Sequence, residues 1–288
     1  MLYTRFKNII ELVVSFMRYK DCVDLHVHTD NSPDGNHSST LICEYACNKG
    51  LRAICFTDHC ECDAYYKDKY DLSLRQSVFE AFKSRTVFSG KLLVLAGVEL
   101  GQPLQNLSAA EDALHNQLDF VLASSHTLTT KADDFYLLDY SLAENDPDVL
   151  FSQYLIDLNN IIDWGKFDSL AHLTYPLRYI IGEHKIDFNF KKHMPQIENI
   201  LKKLAQSGKA LEINTSGLRQ EYGTTMPDLE IVKLFRSVGG EYITVGSDAH
   251  NCFDVGAGIE QAFDLAKAAG FNFVSIYENR TPVPILIK

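Results

Sequence analysis

The sequence is short of positive charge and of long apolar runs. Its 27 Lys and Arg residues face 38 Asp and Glu residues, which leaves a net charge of −11. Non-specific nucleic-acid binding depends on many cations that neutralise phosphates, so no nucleic-acid partner is expected. A membrane span needs about 20 apolar residues, whereas the apolar stretch from Asn8 to Met17 is short and contains Glu11. We therefore expect no membrane partner either.

The sequence also lacks a disulfide framework and several nucleotide and acyl-transfer motifs. Its seven cysteines are an odd number without regular spacing, and no secretory leader is recognisable, so we expect reduced thiols and a cytoplasmic location. Gly256-Ala257-Gly258 lacks the third glycine of a dinucleotide fingerprint. There is no nucleotide-type phosphate loop and no Gly-x-Ser-x-Gly turn. Covalent acyl chemistry has no support.

What the sequence does contain is a regular alternation of β-branched apolar runs with stretches of helical period. This pattern predicts seven or eight βα units around a parallel sheet, the count expected for a barrel. The predicted strands are Val23–Thr29, Arg52–His59, Leu92–Leu100, Phe120–Leu128, Ser169–Thr174, Ala210–Thr215, Tyr242–Asp248 and Phe273–Tyr277. We expect residues 21–288 to form the barrel domain and residues 1–20 an amphipathic helical extension.

Nearly every predicted strand ends in His, Asp or Glu, the residue types that bind divalent metals through nitrogen and oxygen. The strand-end residues are His26, His28, Asp58, His59, Glu99, His126, His172, Asp248 and His250. A lone histidine at such a place is more often structural, but six together favour a metal site. The remaining histidines fall outside this pattern, and we interpret them as solvated or capping residues; they are His37, His115, His184 and His193.

Six short motifs occur in order. They are Asp24-Leu25-His26-Val27-His28-Thr29, Thr57-Asp58-His59, Gly97-Val98-Glu99, Ser125-His126, Ala171-His172 and Gly246-Ser247-Asp248-Ala249-His250. Their order and spacing over residues 21–280 resemble the polymerase and histidinol phosphatase (PHP) superfamily. The resemblance implies a distorted (β/α)7 TIM-like barrel, with a metal site at the C-terminal ends of its strands.

The resemblance also implies a trinuclear centre of two to three divalent ions, and its ligand types suit zinc, manganese or iron. One ion would be held by His26, His28, Glu99 and Asp248, a second by Glu99, His126 and His172, and a third by Asp34, His59 and His250. Glu99 would bridge the first two ions. The catalytic residues would be Glu99, Asp248 and His250, acting with a metal-activated water. Asp58 is expected to accept a hydrogen bond from His59.

Two arginines resemble the histidinol phosphatase branch of the superfamily. Arg178 follows His172 by six residues, and Arg219 follows the segment Leu211-Glu212-Ile213-Asn214-Thr215-Ser216-Gly217-Leu218. Guanidinium groups bind phosphate oxygens in pairs, so both are candidate phosphate ligands. The resemblance implies a metal-dependent enzyme that hydrolyses L-histidinol phosphate, a small phosphorylated metabolite of histidine biosynthesis. Association into a homo-oligomer stays open.

Two other functions stay open at this point. A PHP phosphoesterase that acts on another small phosphate ester or on a nucleotide would share every metal ligand and differ in the loops around Arg178 and Arg219. A non-catalytic PHP module, such as those attached to DNA polymerases, is less favoured because all nine ligand positions are filled.

Overall fold

The computed structural model describes Tyr19 and residues 21–288. The expected helical extension, apart from Tyr19, lies outside the described residues. The strands are β1 Val23–Val27, β2 Ala53–Phe56, β3 His59–Glu61, β4 Leu93–Gly101, β5 Phe120–Ser124, β6 Thr127–Leu128, β7 Lys131–Asp134, β8 Ser169–Leu170, β9 Ala210–Asn214, β10 Ile243–Gly246, β11 Phe273–Glu278 and β12 Thr281–Leu286. The α-helices are α1 Ser39–Lys49, α2 Tyr70–Val87, α3 Leu107–Leu114, α4 Pro147–Trp164, α5 Met194–Gln206, α6 Leu229–Ser237 and α7 Ile259–Ala268.

Seven strands form a nearly closed parallel barrel in the order β1-β2-β4-β5-β8-β9-β10. The two ends of this sheet meet where Val27 pairs in parallel with Ala249. Two backbone hydrogen bonds accompany this contact, from His28 N to Ala249 O at 2.9 Å and from Asp248 N to His26 O at 2.8 Å. The predicted α/β barrel of seven strands is confirmed.

The sequence explains the barrel through the burial of its strands. β1, β2, β5, β9 and β10 are buried at every residue. Full burial explains the apolar runs of β2 and β5, whereas β1 and β9 also bury the polar residues Asp24, His26, Glu212 and Asn214. The helices between them begin and end at recognisable residues. Asp228 caps α6 by accepting from Ile231 N, and Gly165 ends α4 in the left-handed conformation.

Three predicted strands are broken or reduced to two residues, because the chain leaves the ladder where the polar residues begin. The second breaks at Thr57-Asp58, so that β4 pairs first with β2 and then, from Glu99 onward, with β3. The fourth splits into β5 and the short strand β6, which pairs with β7. The fifth keeps only Ser169 and Leu170. The side chains that face the candidate site lie directly after these breaks.

The eighth predicted strand lies outside the barrel. Phe273–Glu278 pairs with Thr281–Leu286 as an antiparallel hairpin. Its turn residue Arg280 pairs with Asp168, and Arg280 N donates to Asp119 O at 2.8 Å. Asp119 and Asp168 directly precede β5 and β8, so the hairpin covers the end of the barrel opposite the metal-site residues. In the described part of the chain, no helix has both the length and the apolarity required to cross a membrane.

Candidate metal centre

All nine predicted metal ligands lie at the C-terminal end of the barrel. Most come from the end of a strand or from the loop that follows it: His26 from β1, His28 and Asp34 after β1, Glu99 from β4, His126 after β5, His172 after β8, and Asp248 and His250 after β10. His59 is the first residue of β3, directly after the break that follows β2. Seven of them line a cavity of about 400 Å³. His26 and His28 lie beneath it and are fully buried.

The first group of ligand atoms has the spacing of a metal site. The Glu99 Oε2 atom lies 3.3 Å from His26 Nε2 and 3.6 Å from His28 Nε2. Asp248 Oδ1 lies 3.7 Å and 3.5 Å from the same two nitrogens. Ligands at ~2.0–2.2 Å from one tetrahedral ion are about 3.3–3.6 Å apart. The four predicted ligands of the first ion are therefore compatible with one shared cation.

Three of these buried atoms have no hydrogen-bond partner among the described residues: His26 Nε2, His28 Nε2 and Glu99 Oε2. A buried polar atom without a partner costs free energy, and so such atoms usually have a functional explanation. Imidazole nitrogens and a carboxylate oxygen that face one another suit a divalent cation. The residues present fit the metal that the sequence predicts.

The second group uses the other oxygen of Glu99. Glu99 Oε1 lies 2.8 Å from His172 Nε2 and 3.1 Å from His126 Nε2. One carboxylate therefore offers its two oxygens to two different sets of histidines, as a bridging ligand would.

The third group lies at the mouth of the cavity. Asp34 Oδ2 lies 3.1 Å from His250 Nε2, and Asp34 Oδ1 lies 3.7 Å from His59 Nε2. His59 is also close to the other groups, because its Nδ1 atom lies 3.0 Å from Glu99 Oε2. The structure thus brings Asp34, His59 and His250 together as predicted, but places His59 between the third group and Glu99.

The charges of these groups depend on one another. Burial works against ionisation, but His126, His26 and His59 hold the pKa of Glu99 well below its usual range. In return, and again against burial, Glu61 and Glu99 raise the pKa of His126 to about 10. For His28, burial and the neighbouring His250 and His59 lower the pKa well below the ordinary value. Protons and metal ions compete for the same atoms, so metal binding here releases protons.

Sequence reasoning missed two carboxylates that hold the histidine rings. Glu212 Oε1 lies 2.7 Å from His26 Nδ1, and its Oε2 accepts from His172 N at 2.8 Å. Glu61 Oε1 lies 3.0 Å from His126 Nδ1 and 3.2 Å from His59 Nδ1. Such partners fix the ring and direct the other nitrogen towards a metal. The spacing of Glu61 from His59, two residues along one strand, was the signal that could have revealed it.

Two glycines make room for these carboxylates. A Cβ atom at Gly101 would lie 2.0 Å from Glu61 Oε2, and one at Gly246 would lie 2.3 Å from His26 Cβ and 2.6 Å from Glu212 Oε1. Neither position can accept a side chain without moving a histidine or its partner.

The expected contact between Asp58 and His59 is wrong. The Asp58 carboxylate accepts instead from Thr29 N at 2.6 Å, Thr29 Oγ1 at 2.8 Å, Ser32 Oγ at 2.8 Å and Ser77 Oγ at 2.5 Å. Ser32 Oγ in turn lies 3.0 Å from His28 Nδ1. Asp58 satisfies the loop after β1. Through Ser32 Oγ, which also accepts from His59 N at 3.0 Å, it supports the ring of His28 and the backbone of His59, but not the His59 ring.

Two ligands occupy strained backbone conformations. His172 has a φ of 20° and Asp248 a φ of 55°, values that residues with a side chain rarely adopt. Strain of this kind persists only where surrounding contacts impose it, and it is common at functional sites. Here Glu212 holds the backbone of His172, and the bond from Asp248 N to His26 O holds that of Asp248.

The two predicted phosphate ligands lie in different places. Arg178 lines the cavity; its Nη1 atom is 3.8 Å from Asp248 Oδ2, and its guanidinium carbon is 4.6 Å from the centre of the Tyr175 ring. Arg219 lines an adjoining cavity that shares Arg178 and Tyr179. Arg219 Nη2 donates to Ser247 O at 2.9 Å and to Asp248 O at 3.3 Å. Arg219 therefore also supports the backbone of a predicted metal ligand.

The four histidines interpreted as structural are absent from the set that lines the cavity. His193 bonds to Gln196 and Asp148, His184 packs on Tyr140, and His115 ends α3. His37 accepts from Cys252 N at 3.3 Å. Their surroundings match the structural interpretation.

Comparisons with known proteins identify one family and several relatives that are named as phosphatases. The PHP domain family model matches residues 24–216. A protein of Thermotoga maritima named probable histidinol-phosphatase is 30% identical over 254 residues, which cover 88% of this chain and 95% of that protein. The histidinol-phosphatase of Lactococcus lactis is 28% identical over 262 residues, covering 88% and 94%. The fold is similar to a crystal structure of histidinol phosphate phosphatase from Lactococcus lactis complexed with zinc, L-histidinol and phosphate, with a TM-score of 0.75, 22% identity, and coverage of 91% of this chain and 99% of that one.

The role of Glu212 can be tested with Glu212→Gln. The amide keeps the shape but removes the negative charge beside His26 Nδ1, which makes Nε2 a weaker ligand. We expect an affinity for zinc or manganese about ten- to a hundredfold lower, measured by competition with a chromogenic chelator. Glu111→Gln, at an exposed carboxylate paired with Lys166, is the matched control and should bind metal like the wild type. An unchanged metal affinity in Glu212→Gln would show that Glu212 does not support metal binding.

Proposed function

Because the chain belongs to the PHP domain family, we propose that it is a metal-dependent phosphomonoesterase that hydrolyses L-histidinol phosphate to L-histidinol and inorganic phosphate. Two observations of different kinds support this function. The cavity chemistry supports phosphate-ester hydrolysis, and two curated relatives that match 88% of this chain are named probable histidinol-phosphatase and histidinol-phosphatase. The activity would be a step of histidine biosynthesis.

The charge of the cavity is the observation that carries the metal dependence. Its lining includes seven carboxylates, Asp34, Glu61, Asp63, Asp68, Glu99, Asp134 and Asp248, against one guanidinium, that of Arg178. A phosphate dianion would be repelled from such a cavity unless cations compensate the negative charge. The histidine and carboxylate groups described above are the places where divalent ions would supply that charge.

We assign two to three ions, of zinc, manganese or iron, to the nine predicted ligands. His26, His28, Glu99 and Asp248 would hold one ion, Glu99, His126 and His172 a second, and Asp34, His59 and His250 a third. Divalent ions bound there would activate water as a nucleophile and neutralise the phosphoryl oxygens.

The protein's own groups hold and orient the substrate. Arg178 presents its guanidinium to the cavity, and its position is fixed by the rings of Tyr175 and Tyr179, which lie 4.6 Å and 4.7 Å away. In the proposal this group binds phosphate oxygens and holds the ester in line for attack.

Glu99, Asp248 and His250 face the cavity, and we assign them to the reacting centre. Asp248 is held in place on its outer side, since its Oδ2 accepts from Ser216 Oγ at 3.0 Å. The His250 side chain is 27% exposed at the cavity mouth, where it contacts both solvent and the predicted metal ligand Asp34.

A reducing compartment such as the cytoplasm suits this assignment. All seven cysteines are free thiols.

Substrate preference is the direct test of the proposed activity. We expect phosphate release from L-histidinol phosphate to exceed that from sugar phosphates, nucleotides and a chromogenic phosphomonoester by about a hundredfold in kcat/KM, or nearly 3 kcal/mol of differential transition-state binding. The protein should be supplied in turn with zinc, manganese or iron. Broad or nucleotide-directed hydrolysis would assign the chain to another PHP activity, and no turnover of any ester would favour a binding module.

Substitution of the two arginines should affect kcat/KM and metal content differently. Arg178→Met removes a phosphate contact within the cavity, so kcat/KM should fall about thirtyfold or more while metal content stays at the wild-type value. Arg219→Met should lower kcat/KM by a similar factor. If this variant also binds less metal, the loss shows that the bond from Arg219 to the Asp248 backbone helps to hold Asp248 as a ligand. Arg75→Met, at an exposed ion pair, is the control. An unchanged kcat/KM in either cavity variant would remove the phosphate role of that arginine.

A further inference from the structure

We propose that Asp134 recognises the ammonium group of the substrate, so that the cavity selects phosphate monoesters of amino alcohols. This inference rests on the proposed function, because it adds a second binding group to the same cavity. It assigns one side chain to the part of the ester that does not react.

Asp134 ends β7 and lines the cavity. Its side chain is partly buried, and burial raises its pKa above the ordinary value for aspartate. In the described part of the chain, it has no Lys, Arg or His partner within 4.0 Å. Its Oδ1 atom accepts hydrogen bonds from Tyr175 OH at 2.9 Å and Tyr136 N at 3.3 Å. A buried carboxylate of this kind is suited to a cation that arrives with a ligand.

The other cavity carboxylates are already engaged or exposed. Four have a histidine nitrogen within 4.0 Å and belong to the candidate metal centre, namely Asp34, Glu61, Glu99 and Asp248. Asp63 accepts from Gln102 Nε2 at 3.2 Å and is exposed, as is Asp68. Solvent screens the attraction of exposed carboxylates for a cation. Asp134 is the partly buried cavity carboxylate that faces no histidine.

Tyr175 connects Asp134 to the reacting centre. Its ring centre lies 5.1 Å from that of His126 and 4.9 Å from that of His172. Its hydroxyl donates to Asp134, and Arg178 stacks on its ring. Tyr175 therefore contacts two predicted metal ligands, the predicted phosphate ligand Arg178 and the carboxylate of Asp134. The carboxylate lies one side chain away from the place where the phosphate is expected.

This arrangement gives the cavity two poles. Arg178 and the metal-ligand groups attract a phosphate, and Asp134 attracts a positive group on the same small molecule. L-Histidinol phosphate has an ammonium group on the carbon next to its ester carbon, and so it carries both charges in a short span. A cavity of about 400 Å³ is of the size used for such metabolites. The polarity of the site then excludes esters that carry only the phosphate.

The test compares L-histidinol phosphate with its deamino analogue, which keeps the imidazole and the phosphate but lacks the ammonium. The wild type should have a higher kcat/KM for L-histidinol phosphate than for the analogue without the ammonium. Asp134→Asn keeps an acceptor for the Tyr175 hydroxyl but removes the charge, so the ratio of kcat/KM between the two esters should fall about tenfold or more. Asp133→Asn is the matched control, because Asp133 is the exposed neighbour on the same strand and does not line the cavity.

The outcomes separate this inference from the proposed function. An equal loss on both esters in Asp134→Asn would overturn the ammonium assignment, since a structural defect lowers both alike. An unchanged ratio would overturn it as well. If the wild type does not hydrolyse L-histidinol phosphate, the proposed function fails, and the same ratio measured with 2-aminoethyl phosphate against ethyl phosphate still decides whether Asp134 recognises ammonium groups.

Discussion

The structure depends on how one buried carboxylate is shared. Glu99 is 1% exposed, and its two oxygens face two different sets of histidines at 2.8–3.6 Å. Such a group of buried, mutually dependent charges is stable only if every atom has a partner. Five of its atoms have no hydrogen-bond partner among the described residues, namely His26 Nε2, His28 Nε2, His59 Nδ1, Glu99 Oε2 and His172 Nδ1. Divalent cations bound in the cluster would satisfy those of these atoms that face one another. The broken strands, the strained ligands and the supporting carboxylates then follow as the means of holding this cluster.

Much of this centre could be predicted from the sequence, because strand periodicity determines which way a side chain points. His26 and His28 are two residues apart, and the Nε2 atoms of both lie within 3.6 Å of Glu99 Oε2. The metal-ligand roles of the nine residues stay a prediction, although the structure brings them together. The interruption at Thr57-Asp58 could not be predicted, since it depends on hydrogen bonds from Thr29 and Ser32 that are distant in sequence. Glu212 was missed for the same reason, because His26 and His172 are distant from it in sequence.

The arginines and tyrosines show why a residue type alone does not fix a role. Arg178 and Arg219 look equivalent in the sequence, yet one faces the metal-ligand cavity and the other bonds to the backbone of Asp248. Arg178 is fixed by two tyrosine rings, and one of these also holds Asp134. In our proposal, the specificity of the site depends on a loop and a short hairpin, elements whose positions hydrophobic periodicity does not determine.

The central claim is that the buried histidine and carboxylate cluster holds several divalent ions at once. The most direct measurement is the metal content of the active protein, by elemental analysis after gel filtration in metal-free buffer, alongside specific activity. We expect two to three ions per fully active chain, and a loss of both ions and activity when a chelator removes them. Full activity with fewer than two ions per chain would contradict the claim.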